Sequence, residues 1–338
     1  MPERARCWIT GVTGMVGSHL VDYLLENTDW DIHGFLRWNE DLSNVEHLLP
    51  RVNARDRFFL GYGDLNDYAS VQAALREARP DYVFHLAAQS YPKTSFDAPL
   101  ETLQTNIIGT AHVLEAIRHS GLQPVVHVCA SSEVFGRVSR EHLPIHEEVG
   151  FHPASPYAIS KVGTDLLGRF YGEAYGLCVM TTRMFTHTGP RRGDVFAEST
   201  FAKQIAMIEE GLIPPVLKVG NLDSMRTWSD VRDAVRAYHM LVTVHPVPGA
   251  YYNIGGSYSC TVGDMLDHLL SLSTREDIEV VVEKSRLRPI DADLQVPDTT
   301  KFREHTGWKP EIPFEKTMAD LLGYWRERVG RRQHFLVR

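Results

Sequence analysis

Residues 7–18 read Cys-Trp-Ile-Thr-Gly-Val-Thr-Gly-Met-Val-Gly-Ser. An apolar run of strand length meets three glycines, Gly11, Gly14 and Gly17, and then a helical pattern from Ser18 to Glu26. Strand, tight turn and helix in this order open a βαβ unit, and the same alternation continues outward along the chain. Strand-like runs follow at 31–37, 57–61, 82–88, 124–131 and 177–185, several without polar alternation, as in strands covered on both faces. Between them, 66–79 carries Val71, Ala74, Leu75 and Ala78 at helical spacing and stops before Pro80. A second helix is expected over 99–120, with Leu103, Ile107, Leu114 and Ile117 on one side and Gly121 as its stop. A third opens with Ser155 as N-cap and Pro156 in first position, carries Ile159, Val162, Leu166 and Phe170, and ends near Gly176. The pattern predicts an α/β protein on a doubly wound, Rossmann-like parallel sheet with right-handed crossovers.

From about residue 186 the texture changes, with THTGPRRGD at 186–194 and Pro214-Pro215 interrupting an apolar stretch. A smaller α/β C-terminal lobe facing the substrate is expected here, with helices near 200–210, 231–244, 262–272 and 314–328 and strands near 216–219 and 278–282. The expected division is 1–185 for the sheet domain, 186–330 mainly for the second lobe with some chain returning to the large domain, and 331–338 for a solvated basic tail (Arg331, Arg332, Arg338). A length of 338 residues suits one large domain or two modest ones, at ~150 residues each. With 43% hydrophobic and 23% charged residues the chain is globular, not disordered. A net charge of −8 leaves no broad basic footprint for nucleic acid or an anionic membrane. Cys7, Cys129, Cys178 and Cys260 lie far apart, so neither a disulfide framework nor a thiolate metal site is expected, and a reducing cytoplasm fits. The opening MPERARCWIT has too short an apolar run for a signal peptide or a membrane span. No metal is expected: His142 and His146 are four apart, but Pro144 between them spoils a helical pair.

The turn Thr10, Gly11, Thr13, Gly14, Met15, Val16, Gly17 has the glycines that let backbone amides approach a pyrophosphate, with the helix N-terminus favouring its charge. A dinucleotide site usually adds an acidic residue for the adenosine ribose at the end of the second strand. Here that strand ends in Arg37, so NADP is expected, with NAD as the alternative; Arg37 can otherwise be a plain surface arginine. Asp64, after the third strand, is an adenine contact or a simple turn residue.

Tyr157 and Lys161 are four apart on the helix opened by Ser155, hence on one face. A lysine ammonium beside the phenol, with an oxidised nicotinamide, stabilises tyrosinate and pulls the tyrosine pKa toward neutral pH, making it a base for a carbinol proton. Ser131, at the carboxyl end of the fifth strand, where open α/β sheets place their ligands, can hydrogen-bond the same substrate oxygen. Glu133, two residues on along an extended strand end, is expected on the serine's side.

TGVTGMVG at 10–17, HLAAQS at 85–90, ASSEVFG at 130–136 and SPYAISK at 155–161 together resemble the extended short-chain dehydrogenase/reductase family over nearly the whole chain. HTGPRRG at 187–193, FAKQI at 201–205, VGNLDSMR at 219–226 and RLRP at 286–289 are similar to the GDP-mannose 4,6-dehydratases and GDP-6-deoxymannose 4-reductases of that family. The resemblance implies a sugar nucleotide, a GDP-hexose, whose C4 exchanges a hydride with the nicotinamide. It implies Leu65, Leu86, Ala87 and Ala88 beside the cofactor, and Gln89, Ser90, His187 and Lys218 on the substrate side. Arg192, Arg226 and Arg288, in Gly/Pro-rich stretches read as loops, can fork a diphosphate or serve as ion-pair partners; Asn221 can seat the nucleobase or simply make a turn. In a dehydratase the resemblance makes Glu133 the base for the C5 proton; such enzymes usually carry Thr where Ser131 stands, and the hydroxyl is retained. The related reductases also resemble ASSEVFG at this Glu, so Glu133 permits dehydration without proving it. A 4-reductase, for which 230–238 and the chain end speak, a 4-epimerase, and a catalytically silent binding member remain open. The helices at 99–120 and 155–176 resemble those that pair family dimers through a four-helix bundle, giving a homodimer or a tetramer. Tyr324 and Trp325 read as packing residues.

Overall fold

The computed structural model describes residues 4–290 and 292–331. The first half supplies six strands, β1 (Arg6–Thr10), β2 (Asp31–Leu36), β3 (Phe58–Tyr62), β4 (Tyr82–His85), β5 (Val125–Cys129) and β6 (Val179–Met184). The second half adds β7 (His187–Thr188), β8 (Val216–Val219), β9 (Met225–Asp230), β10 (Tyr251–Ile254), β11 (Tyr258–Thr261), β12 (Glu279–Val282) and β13 (Leu294–Gln295). One parallel sheet has the order β10-β6-β5-β4-β1-β2-β3, so the chain returns at 251–254 to extend the sheet beyond β6. The small sheets of the second half are β11-β9-β13, with β7 on β9, and the pair β12-β8.

Alternate side chains of each central strand enter opposite layers, which explains the unbroken apolar runs. Cys7 and Ile9 join Leu20, Val21 and Leu24 of the Met15–Asn27 helix, together with Ala234 and Leu241 of the Val231–Thr243 helix, Phe302 and Trp308. Trp8 faces the other layer, with Val71, Leu75, Val113, Leu114 and Ile117. Each such fully buried side chain contributes roughly 1.5–3 kcal/mol relative to exposure. A separate core in the second half gathers Phe201, Ile205, Leu217, Met265, Met318, Leu321 and Trp325, whose indole donates to Ser199 Oγ at 2.8 Å. Trp325 is thus a packing residue, as expected. Within the expected basic tail only Arg331 is described, paired with Glu327; Arg332 and Arg338 lie outside the described residues.

Two expectations need correction. β4 stops at His85, short of residue 88, because the Leu86 and Ala87 amides donate to Thr10 Oγ1 at 3.1 and 3.2 Å instead of to a neighbouring strand. The 99–120 helix is not uniform: Pro99–Leu103 and Gly109–Ser120 are α-helical, but Gln104–Ile108 widens to π geometry. The widened turn breaks the single apolar stripe and points Asn106 inward, where it binds the Gln89 backbone from both sides, with N–H to Oδ1 at 2.8 Å and Nδ2 to the carbonyl at 2.9 Å. The Asp67-capped helix Tyr68–Ala78 and the Ser155-capped helix Pro156–Tyr175, closed by Gly176 at φ +67°, fall where their local signals put them.

Candidate active site

Strand order reverses beside β1, whose neighbours are β2 and β4, and open sheets bind ligands at such a reversal, at the carboxyl ends of the strands. Register keeps those ends level: Thr10 lies against Phe35 and His85, His85 against Val128, and Cys129 against Thr182. A cleft of about 720 Å³ opens there, walled on one side by the sheet's loops and on the other by the second lobe.

The dinucleotide end is built first. Gly11 has φ +73°, and a Cβ on it would stand 2.8 Å from the Ala87 nitrogen; a Cβ on Gly17 would lie 2.3 Å from the Gly11 carbonyl oxygen. Only glycines therefore let the turn tuck under β4 and the helix sit on the turn. Gly14 precedes the Met15–Asn27 helix and its amide donates to Gly11 at 3.1 Å, leaving the first-turn amides directed at the cleft. These residues fit a pyrophosphate. Thr13, Met15, Val16, Arg37, Asp64, Leu65, Leu86, Ala87 and Ala88 all line the same wall. Thr10 does not: fully buried, its hydroxyl is held between His85 Nδ1 at 2.8 Å and the two loop amides, so it shapes the cofactor loop from behind. Asp64 faces the cleft and also accepts from the Asn66 amide at 2.8 Å, so it serves the turn as well.

The reactive groups come from the β5 end and the Pro156–Tyr175 helix. Ser131, Glu133, Tyr157 and Lys161 all face the cleft. Glu133 does not follow an extended strand: Ser132–Val134 is a single 3-10 turn, and Ser131 caps it by accepting from the Glu133 amide at 3.2 Å. The turn nevertheless keeps serine and carboxylate on one wall. Lys161 Nζ donates to the Cys129 carbonyl at 2.7 Å, leaving an ammonium with two further donors beside the sheet end. Burial pulls Lys161 below its ordinary value. Burial also pushes the Tyr157 phenol above its ordinary value, while its hydrogen bond with Ser131 pulls it down, as does the more distant Arg192 charge. Within the protein alone, the tuning expected of Lys161 thus falls first to Ser131.

Asn106 and Ser160 are the residues that sequence reasoning missed. Asn106 Nδ2 donates to Ser160 Oγ at 2.8 Å, and the Asn106 carbonyl accepts from Thr110 and Thr164, so the widened turn locks the Pro156–Tyr175 helix to the Gln89 loop. The interruption of the stripe at a buried asparagine was the available signal.

On the far side, Gln89, Ser90, His187, Arg192, Asn221, Arg226 and Arg288 line the cleft. The Gln89 amide is spent on Tyr91 and Thr102, making it a loop brace as well as a wall residue. Burial, aided by the Arg192 charge, lowers His187 to about 4, so it is neutral at pH 7. Arg192 stacks on Phe196, 3.4 Å from the ring centroid, and its Nε donates to buried Glu198 at 3.0 Å. Arg226 is not in a loop: it sits on β9, where NH1 donates to the Met225 carbonyl at 3.0 Å and the Ala292 carbonyl at 2.5 Å. Lys218 does not reach the cleft wall. β8 alternates Leu217 and Val219 inward, so Lys218 faces solvent and pairs with Glu283 at 3.4 Å. Among the described residues no cluster of His, Cys, Asp and Glu could hold a metal, and no helix is long and apolar enough to cross a membrane.

A family model described as GDP-mannose 4,6 dehydratase matches residues 8–321. The GDP-6-deoxy-D-mannose reductase of Pseudomonas aeruginosa is 33% identical over 325 residues, covering 96% of this chain and 98% of its own. The GDP-mannose 4,6-dehydratase of Yersinia enterocolitica is 30% identical, covering 93% and 92%. The solved structure of RMD from Pseudomonas aeruginosa complexed with NADPH is similar at a TM-score of 0.80 and 30% identity, spanning 96% of this chain and all of that one. The matched span holds the glycine turn, the Ser131–Glu133 turn, the Tyr157–Lys161 pair and the arginines of the far wall, and the chain belongs to the GDP-mannose 4,6-dehydratase family of short-chain dehydrogenase/reductase enzymes.

Proposed function

We propose that the chain is an NAD(P)-dependent lyase that dehydrates GDP-mannose to the 4-keto-6-deoxy sugar nucleotide by hydride transfer at C4. The observation that carries this reading is the placement of Glu133 on the wall shared by Ser131, Tyr157 and Lys161, beside a cofactor turn built for a pyrophosphate. The dehydratase names of the family and of the Yersinia relative support it. The glycine turn and the wall formed by Leu65, Leu86, Ala87 and Ala88 would hold NAD(P), which would supply the hydride-accepting and hydride-donating chemistry for C4 and C6. Tyr157 takes the C4 hydroxyl proton, and Ser131 holds the same oxygen. Lys161 orients the nicotinamide ribose and lends its charge. Glu133 removes the C5 proton and assists departure of the C6 hydroxyl as water. Incubation with GDP-mannose and no added cofactor should give a product lighter by one water; an isobaric product would indicate a 4-epimerase. A 4-reductase is the second reading, favoured by the Pseudomonas relative; it predicts no change until a 4-keto-6-deoxy substrate and NADPH are supplied.

In this reading the sheet domain, 1–185, carries the chemistry, and the lobe within 186–330 grips the nucleotide. Arg226 and Arg288, which line the same cleft, hold the diphosphate. A charge-assisted forked contact is worth ~1.5–3 kcal/mol, so Arg226→Ala and Arg288→Ala should each weaken GDP binding by about tenfold or more in calorimetry, with dinucleotide affinity kept. Unchanged GDP affinity would remove the arginines from the site. The four free cysteines suit a reducing compartment, and we place the reaction in the cytoplasm.

The partner proposed for the 99–120 and 156–175 helices is a second copy of the chain. Leu100 is 79% exposed, Leu166 47% and Phe170 50%, apolar side chains on adjoining helices that a four-helix bundle would cover. Leu166→Glu with Phe170→Glu should convert the dimer to a monomer in analytical ultracentrifugation, and an unchanged sedimentation coefficient would place the interface elsewhere.

A further inference from the structure

β2 ends at Leu36, and Arg37 follows where a dinucleotide site usually offers a carboxylate to the adenosine ribose. The carboxylate is present three residues later. The chain turns at once, the Glu40 amide donating to the Arg37 carbonyl at 3.2 Å, and this turn folds Glu40 back onto the cleft wall. Its two oxygens fork the guanidinium, Nε to Oε2 at 2.8 Å and NH2 to Oε1 at 3.4 Å. We propose that Glu40 is the missing ribose carboxylate and that its competition for Arg37 sets which dinucleotide the cleft takes. The inference rests on the cofactor reading above and concerns only the adenosine end.

Geometry makes the exchange feasible. The Arg37 side chain is 61% exposed and that of Glu40 28%, so the pair is wetted, screened by salt and weak. A 2′-hydroxyl can donate to Glu40 while the pair stays closed, because a carboxylate has lone-pair sites beyond those used by one fork. A 2′-phosphate must compete with Glu40 for the guanidinium, either by displacing it from the Nε–NH2 edge or by taking the NH1–NH2 edge against the repulsion of the neighbouring carboxylate. It must also enter a field in which Asp64 and Glu101 face Arg37 as well, one guanidinium among three carboxylates, all on the cleft wall. Arg37 thus admits NADP, Glu40 admits NAD, and neither residue alone decides.

The test is calorimetric titration of NADP⁺ and NAD⁺ into the whole chain and into Glu40→Gln and Arg37→Gln. Gln at 40 keeps size and hydrogen bonding but releases the fork. It should tighten NADP⁺ and weaken NAD⁺, moving their affinity ratio by about tenfold or more. Arg37→Gln should move the ratio the opposite way. Raising salt should flatten the difference in each case. An unchanged ratio in Glu40→Gln, or equal weakening of both dinucleotides, overturns the role of Glu40 while leaving the cofactor site intact. Failure of the unaltered chain to bind either dinucleotide overturns the cofactor reading itself, and this inference with it.

Discussion

Tyr157→Phe should turn over roughly 10²-fold more slowly than the unaltered enzyme, or worse, while KM for the sugar nucleotide stays nearly constant. The ring is almost completely buried on the Pro156–Tyr175 helix and remains to pack, so the substitution deletes only the oxygen that, as phenolate, receives the carbinol proton. Two groups are left without their partner: Ser131, which bonds the phenol, and the substrate C4 oxygen. Because the phenol is pushed up by burial and drawn down chiefly by Ser131, and must be ionised to act as a base, Ser131→Ala should move the acidic limb of the kcat profile to higher pH, a readout that a packing role would not move. Lys161→Ala should lose both turnover and dinucleotide affinity, since the ammonium bound to the Cys129 carbonyl also stands on the cofactor wall. Normal turnover by Tyr157→Phe, measured as product formation with saturating GDP-mannose, would make Tyr157 a packing residue and remove the base from the scheme.

Glu133→Gln separates dehydration from hydride transfer. The substitution keeps the shape of the side chain and the 3-10 turn that Ser131 caps, but an amide cannot accept the C5 proton. A dehydratase carrying it should still oxidise C4, so dihydronicotinamide absorbance accumulates in the protein, while release of dehydrated product nearly stops, by roughly 10²-fold or more. A 4-reductase given a 4-keto-6-deoxy substrate and NADPH should tolerate the same change with modest loss. Ordinary water elimination by Glu133→Gln would exclude the carboxylate as the base and favour the reductase or epimerase readings.

The parts of the site that are legible in the sequence are those fixed by neighbours a few residues away. Ser155, Pro156 and Gly176 mark both ends of the catalytic helix by capping chemistry, and a four-residue spacing then puts Tyr157 and Lys161 on one face whatever surrounds them. The glycine turn is equally local, although its reason, the approach of Ala87 to Gly11, belongs to the folded chain. Features decided by distant partners were not legible. Thr10 looks like part of the cofactor loop, but a strand 75 residues later supplies His85 to its hydroxyl. In the π turn at Gln104–Ile108, Asn106 is held by Gln89 and Ser160, partners that no local pattern names. Lys218 follows a strand alternation that is clear only once β8 packs against its own core. Glu40 is invisible to a rule that inspects the last residue of β2, because a turn, not the strand, carries it to the ribose end.

In the proposed dehydration one hydride leaves C4 and returns to C6 within a single turnover, while Glu133 exchanges the C5 proton. GDP-mannose deuterated at C4 and C5, incubated with the enzyme in ordinary water and followed by NMR and mass spectrometry of the product, tests it directly. Dehydration predicts loss of one water, with the C4 deuterium retained and relocated to C6 and the C5 deuterium replaced by hydrogen from solvent. Deuterium still at C4 in a product of unchanged composition, or its loss to externally added dinucleotide, would contradict it.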